Sequence, residues 1–216
     1  MTVLNLERPR SRVQKPRKRA DAKVYQRAAI IEAALDCIAE HGISGTTVSR
    51  IVARAGIARG MVNLYFGSKD ALLLESLKAS HAAYYDRIGA ALAVDAAPGE
   101  QIRAYIETDL GPEVLNERAM AIWFAFRGEA KSHPEYAPFV DSRDLQLETR
   151  LSGIILAMLP LGRGARSAAG ELARGLMLLL EGAWTDYHLN AATFDRDITR
   201  RVCTHFVERA VAGASR

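Results

Sequence analysis

Residues 46–72 constrain this chain more than any other stretch. Gly45-Thr46-Thr47 opens a short helix over residues 48–54, because a threonine at that place can cap free backbone N–H groups. Ile51 and Val52 face inward, Gly56 supplies a turn, and Ile57 plugs the corner. A third helix follows over residues 58–66, and Ser68 then caps a fourth. Two short helices joined by a tight turn, with a supporting helix before and a capped one after, form the layout that aims a helix into a DNA groove.

The side chains of the third helix suit that task. Arg59 can bond guanine O6/N7 and Asn63 can bond adenine N6/N7. Gly60 lets the backbone approach DNA, and Leu64 offers an apolar contact to a thymine methyl. Met61, Val62 and Phe66 hold the core side. Tyr65 presents a hydroxyl to a phosphate. Lys69 falls in the first turn of the fourth helix, where its charge opposes the helix dipole. A phosphate arriving from outside explains that choice, since a helix N-terminus plus a lysine makes an anion site. Thr46 and Thr47 can serve the second helix in the same way. The plain alternative for Arg59 and Asn63 is a solvated helix face.

Charge agrees with a polyanion partner at one end. The net charge is only +4, but residues 1–72 hold 13 Lys/Arg against 6 Asp/Glu, while residues 73–216 hold 16 against 19. Residues 1–22 are rich in Arg and Lys and too poor in apolar residues to fold alone. They read either as a disordered tail or as an arm that follows phosphates or enters a minor groove. Cys37 and Cys203 are isolated in helical patterns and read as buried thiols of a reducing compartment. The most apolar run, residues 172–184, contains Arg174 and Glu181, so no membrane span is expected and the chain is placed in the cytoplasm.

The pattern is all-α throughout. A first helix covers residues 23–41 and stops at His41-Gly42, with Gly42 as a left-handed cap. The fourth helix extends from the reader through residues 73–95. Helices follow over 100–110, 114–131, 135–159, 165–189 and 195–211. The last two are apolar around much of their circumference, which asks for a second subunit to cover them. The division is thus a basic arm (1–22), a reader (23–72) and a helical second domain (73–216).

An enzyme is poorly supported. His41, His81, His133, His188 and His205 lie on separate segments without ExxH or HxxxH partners, so no metal site is expected. No glycine loop for phosphates and no GxSxG elbow is present, and no cofactor is implied.

The segment GTTVSRIVARAGIARGMVNLYFGSKDALL resembles the DNA-binding module of the TetR family over roughly residues 24–72. The small-residue turn, the Tyr65-Phe66 pair, Lys69 and Leu72 fall at the family's spacing. The resemblance implies an all-helical homodimer that binds a double-stranded, near-palindromic DNA operator, is joined through its last two helices, and responds to a small-molecule effector bound in the second domain. Carried over by position, Thr47, Tyr65 and Lys69 hold phosphates, and Arg59, Gly60, Asn63 and Leu64 read bases. The long basic extension before Val24 departs from the family pattern.

The second half is similar to the choline-responsive, BetI-type branch of that family. Met120, Trp123, Ala125-Phe126, the His133-Pro134 break, the start at Arg166-Ser167-Ala168-Ala169 and the Gly182, Trp184, Phe194-Asp195 ending carry the likeness. A quaternary amine suits an aromatic cage with a nearby carboxylate. Trp123, Phe126, Trp184 and Tyr187 are the candidate rings, and Asp109 and Glu181, with Glu107 and Asp186, the candidate charges. The same aromatics also read as ordinary core. Arg127 stands where another aromatic is expected, and it would repel a cation unless it points outward or pairs with Glu129 or Asp109. The other readings are an unrelated, even anionic, effector and a ligand-independent DNA-organising protein.

Overall fold

The computed structural model describes residues 19–93, 95–141, 144–160 and 162–214, and every regular element among them is helical. The basic arm read over residues 1–22 falls outside the described residues as far as residue 18. From Arg19 onward the chain is already helix, four residues earlier than expected. The first helix, α1 (Arg19–Gly45), is interrupted where glycine was expected to end it. Gly42 has φ 67° and ψ 178°, a conformation that L side chains rarely adopt.

Three short steps build the N-terminal core. Helix α2 (Val48–Ala55) starts on Thr47, whose hydroxyl accepts the Arg50 N–H at 3.3 Å, and ends on Gly56 in the left-handed region. Helix α3 (Gly60–Phe66) begins two residues later than the sequence suggested, so Arg59 sits at its N-cap. Helix α4 (Lys69–Leu92) starts on Ser68, which accepts the Ala71 N–H at 3.0 Å. Ile30, Ala33, Ala34 and Cys37 of α1 close over Ile51, Val62 and Leu72, one apolar residue from each of the other helices. The thiol of Cys37 is buried there, and that burial pushes its pKa up, so it acts as a small apolar group.

Helix α4 passes from this core into the larger one. There α5 (Pro98–Asp109), α6 (Glu117–Glu129), α8 (Leu145–Leu156), α9 (Ala165–Asn190) and α10 (Arg196–Ala214) bury Ile88, Tyr105, Ile106, Leu115, Leu151, Ile155, Leu176 and Cys203 together. Helix α10 lies so close to α9 that a Cβ on Gly175 would meet the Phe206 ring at 2.6 Å. The single helix expected over residues 135–159 does not form. The chain instead makes a 3-10 turn at Pro134–Tyr136, a one-turn helix α7 (Ala137–Val140), and then α8. The physical cause is Asp144. Its carboxylate accepts the N–H groups of Gln146 and Leu147 at 2.8 and 2.9 Å, which starts a fresh helix there.

A third apolar cluster joins the two cores. Leu35, Ile38 and Ile43 of α1 meet Leu73 and Leu77 of α4, Ile122 and Phe126 of α6, and Tyr136 and Val140. Helix α6 therefore packs directly on α1. No helix among the described residues is long and apolar enough to cross a membrane.

Candidate DNA-reading surface and effector cavity

Helix α3 is held by Val62, with Tyr65 and Phe66 packed beside it, and offers its opposite face. Val62 is fully buried, whereas Arg59, Gly60, Asn63 and Leu64 are exposed, Leu64 by 75%. A Cβ on Gly60 would meet nothing within 4 Å, so the glycine leaves open space beside the helix. Arg27 of α1 fixes the far end of α3. Its guanidinium donates to the Tyr65 carbonyl at 2.7 Å, pairs with Glu75 at 3.1 Å, and stacks 4.4 Å over the Phe66 ring.

The expected phosphate-binding residues do not all qualify. Thr47 is exposed at the start of α2. Tyr65 and Lys69 are half-buried, and the Lys69 ammonium lies 3.4 Å from the Thr46 carbonyl, between α2 and α4. That carbonyl answers part of the conflict with the helix dipole noted from the sequence. Thr46 is a correction. It is fully buried, and its hydroxyl donates to the Gly42 carbonyl at 2.7 Å, where it closes the irregular end of α1 and cannot reach a phosphate.

The second site is a cavity of about 600 Å³ between α4, α5, α6 and α9, reaching α1. Trp123, Trp184, Asp109 and Glu181 all line it. The two tryptophan rings meet edge to face at 5.5 Å, and Tyr84 meets Trp184 in the same way at 5.4 Å. Asp109 is 1% exposed and accepts the Tyr84 hydroxyl and the Trp184 indole N–H, each at 2.8 Å. Burial raises its pKa to about 6, against the lowering effect of those two hydrogen bonds. The indole N–H of Trp123 is buried with no hydrogen-bond partner.

Phe126 and Tyr187 are the other corrections. Phe126 is fully buried in the cluster that joins the two cores, edge to face with Tyr136 at 5.1 Å. It stands three residues past Trp123, on a face of α6 turned toward α1 and α4. Tyr187 packs on Phe194 at 5.3 Å with the Arg196 guanidinium over its ring, near the end of α9. Neither lines the cavity. Arg127 finds a partner that the sequence did not name, for it forms an ion pair with Glu181 and lies 6.0 Å from the Trp123 ring.

Sequence reasoning missed His81, Tyr84, Tyr85 and Tyr105 as cavity residues. Tyr84 stands at helical spacing with Leu73, Leu77 and Ile88, a pattern that reads as core. The usable signal was the Tyr84-Tyr85 pair with His81 one turn before, more polar aromatics than a core helix needs. Among the described residues, no cluster of three or more His, Cys, Asp or Glu is placed to hold a metal ion.

Comparison with known proteins bears on both halves. Residues 30–76 match the family model of the bacterial regulatory proteins of the tetR family, and residues 98–212 match that of the BetI-type transcriptional repressor C-terminal region. The chain is 29% identical to the HTH-type transcriptional regulator BetI 1 of Chromohalobacter salexigens over 87% of this chain and 91% of that protein. It is also 29% identical to BetI of Stenotrophomonas maltophilia, over 88% and 95%. Among solved structures it resembles a putative transcriptional regulator from Pseudomonas aeruginosa PAO1, with a TM-score of 0.75 and 27% identity over 88% of this chain and 92% of that one. A putative regulator from Saccharomonospora viridis, solved in complex with choline, shares the fold with a TM-score of 0.72 and 22% identity over 86% and 96%.

Proposed function

The chain belongs to the TetR family of bacterial regulators, BetI-type in its C-terminal half, and on that premise we propose that it is a repressor released from its operator by a quaternary ammonium compound. Its relatives are transcriptional regulators and not enzymes, so both sites are read as binding sites. The protein works as a homodimer in the cytoplasm, where the DNA is. Residues 23–72 form the reader and residues 73–216 the effector and dimerisation domain. Each subunit inserts α3 into a major groove of one half of a near-palindromic operator. Arg59, Gly60, Asn63 and Leu64 face the bases, while Thr47, Tyr65 and Lys69 take phosphates. The basic residues ahead of α1 add phosphate contacts. Dimerisation through α9 and α10 is supported by Leu178, Leu189, Ile198 and Val202, each more than half exposed.

One observation carries the effector class. The edge-to-face rings of Tyr84, Trp123 and Trp184 line a cavity whose floor holds the buried Asp109 carboxylate. A cation without N–H groups loses no hydrogen bonds there, and gains from the aromatic rings and the charge. Pairing with Glu181 neutralises Arg127, which removes the objection that this arginine raised. The choline bound to the Saccharomonospora viridis regulator supports the same class.

A thermal-shift screen with choline, betaine aldehyde, glycine betaine and unrelated organic acids tests the effector, because a ligand of the native state raises its stability. Choline-type cations should raise the melting temperature and weaken a gel shift on selected operator DNA. Stabilisation by the acids alone would overturn the effector class. A gel shift with no preference between operator and random DNA would favour the DNA-organising alternative.

A further inference from the structure

The cavity is larger than a compact cation requires, and its other end touches the DNA-reading half. At about 600 Å³ it holds on the order of twenty water volumes of ~30 Å³ each, several times what choline displaces. Arg118, on α6 five residues before Trp123, lines it together with Glu32 and Leu35 of α1. Five residues of helix place Arg118 about 7.5 Å along the axis from the aromatic corner. Its guanidinium leaves the second domain altogether, donating to Asp36 Oδ1 at 2.8 Å and Glu32 Oε2 at 2.9 Å, both on α1. The other oxygen of Asp36 accepts Arg54 of α2 at 3.3 Å, and Arg54 also pairs with Glu40. An unbroken chain of charges thus runs from the cavity wall to Arg54 in the last turn of α2, two residues before the Gly56 turn that aims α3.

We infer that the effector is an elongated zwitterion, whose ammonium occupies the corner of Tyr84, Trp123, Trp184 and Asp109 and whose anionic end takes Arg118 from Glu32 and Asp36. The inference rests on the quaternary-amine reading of that corner. Arg118 and Glu32 are 44% and 65% exposed, and an ion pair so open to water contributes little, while Asp36, 28% exposed, keeps Arg54 as a partner when Arg118 leaves. Guanidinium is also suited to carboxylate, with donors in a fixed fork. The exchange loosens α6 from α1 and leaves Asp36 to Arg54 alone. On this proposal the Arg118 contacts on α1 belong to the DNA-bound arrangement, so a ligand that competes for them lowers DNA affinity by linkage. A compact cation fills the aromatic corner but leaves Arg118 on α1, so it binds without full release.

The test compares three probes on the full-length protein by calorimetry and by displacement of labelled operator DNA: choline, a trimethylammonium alkanoate whose carboxylate lies several carbons from the nitrogen, and a bis-trimethylammonium alkane of similar length. The alkanoate should bind at most a few-fold tighter than choline, because it exchanges the partners of Arg118 and adds no pair, and it should displace operator more completely. In Arg118→Gln that ratio should fall below one, since the carboxylate then loses its partner, and Arg118→Lys should restore part of it. Using the ratio of affinities removes any general loss of folding from the comparison. A bis-cation that outperforms the alkanoate, an alkanoate that displaces operator no better than choline, or a ratio unchanged in Arg118→Gln would each overturn the inference while leaving the cation corner intact. Absence of binding by all three probes would overturn the quaternary-amine reading itself, and this inference with it.

Discussion

The reader and the cavity are built in opposite ways. On α3 Val62 is buried, with Tyr65 and Phe66 packed beside it, and the side chains assigned to the bases are exposed. In the cavity the side chains assigned to the ligand also hold the fold. Trp184 is 8% exposed, bonds Asp109, and packs on both Tyr84 and Trp123. The difference teaches that substitutions in the reader should change binding and spare stability, whereas substitutions in the cavity should change both.

The sharpest way to break that contrast is Trp184→Ala. It removes a large core side chain and leaves the Asp109 carboxylate with one of its two donors. We expect a loss of about 3–5 kcal/mol in chemical unfolding, with effector binding abolished. A loss under about 1 kcal/mol would mean that the ring is not part of the core.

The counterpart in the reader is Asn63→Ala. Operator discrimination should weaken by about 1–3 kcal/mol while unfolding stays within ~0.5 kcal/mol of the parent. Equal weakening on operator and random DNA would defeat the base-reading role. Lys69→Ala should do the reverse, lowering affinity for all sequences and reducing the salt slope by about 1.

Titration sharpens the cavity side. The Asp109 pKa of about 6 lies above the ordinary carboxylate value of 3.8, so the native state holds its proton more tightly than the unfolded chain. This group therefore favours the fold most fully below pH 3.8, and that contribution is lost as pH rises from there to about 6. A bound cation needs the charged form. Choline affinity should be flat above pH 7 and fall as pH drops through about 6, approaching tenfold per unit. Asp109→Asn should remove that dependence and leave the ligand-free protein at pH 7.5 as stable as the parent or more so. A parent affinity independent of pH between 5 and 8 would take Asp109 out of the site.

The smallest expected effect concerns the two threonines. Thr47→Ala removes a cap and should cost about 1 kcal/mol with some loss of DNA affinity. Thr46→Ser keeps the hydroxyl that donates to Gly42 and should be nearly silent on DNA. A clear loss of operator binding in Thr46→Ser would return that residue to the phosphate set.

This contrast also explains what the sequence disclosed. The reader is local: Thr47, Gly56, Ser68 and the α3 face lie within a few turns of one another, and capping chemistry announces each boundary. Thr46 was misassigned because its neighbour Thr47 carries the cap, and only the packed structure reveals which of two adjacent hydroxyls turns inward. The cavity is not local. Tyr84, Asp109, Trp123 and Trp184 come from four helices spanning a hundred residues, and helical periodicity ranks an aromatic as buried without saying against what. Phe126 and Tyr187 have the same pattern as Trp123 and Trp184, yet they pack elsewhere. Arg127 could be matched with Glu181 only after α6 and α9 were brought together.

The central claim is that the cavity and the reader are coupled through the fold. The direct test measures one coupling from both sides: choline affinity with and without saturating operator, and operator affinity with and without saturating choline, in the same buffer at pH 7.5. Thermodynamic linkage requires the two ratios to be equal, and we expect both to lie near five- to 150-fold in the sense that each ligand weakens the other. Choline binding that is tight and identical with and without operator would contradict the account, because the cavity would then be occupied without moving the reader.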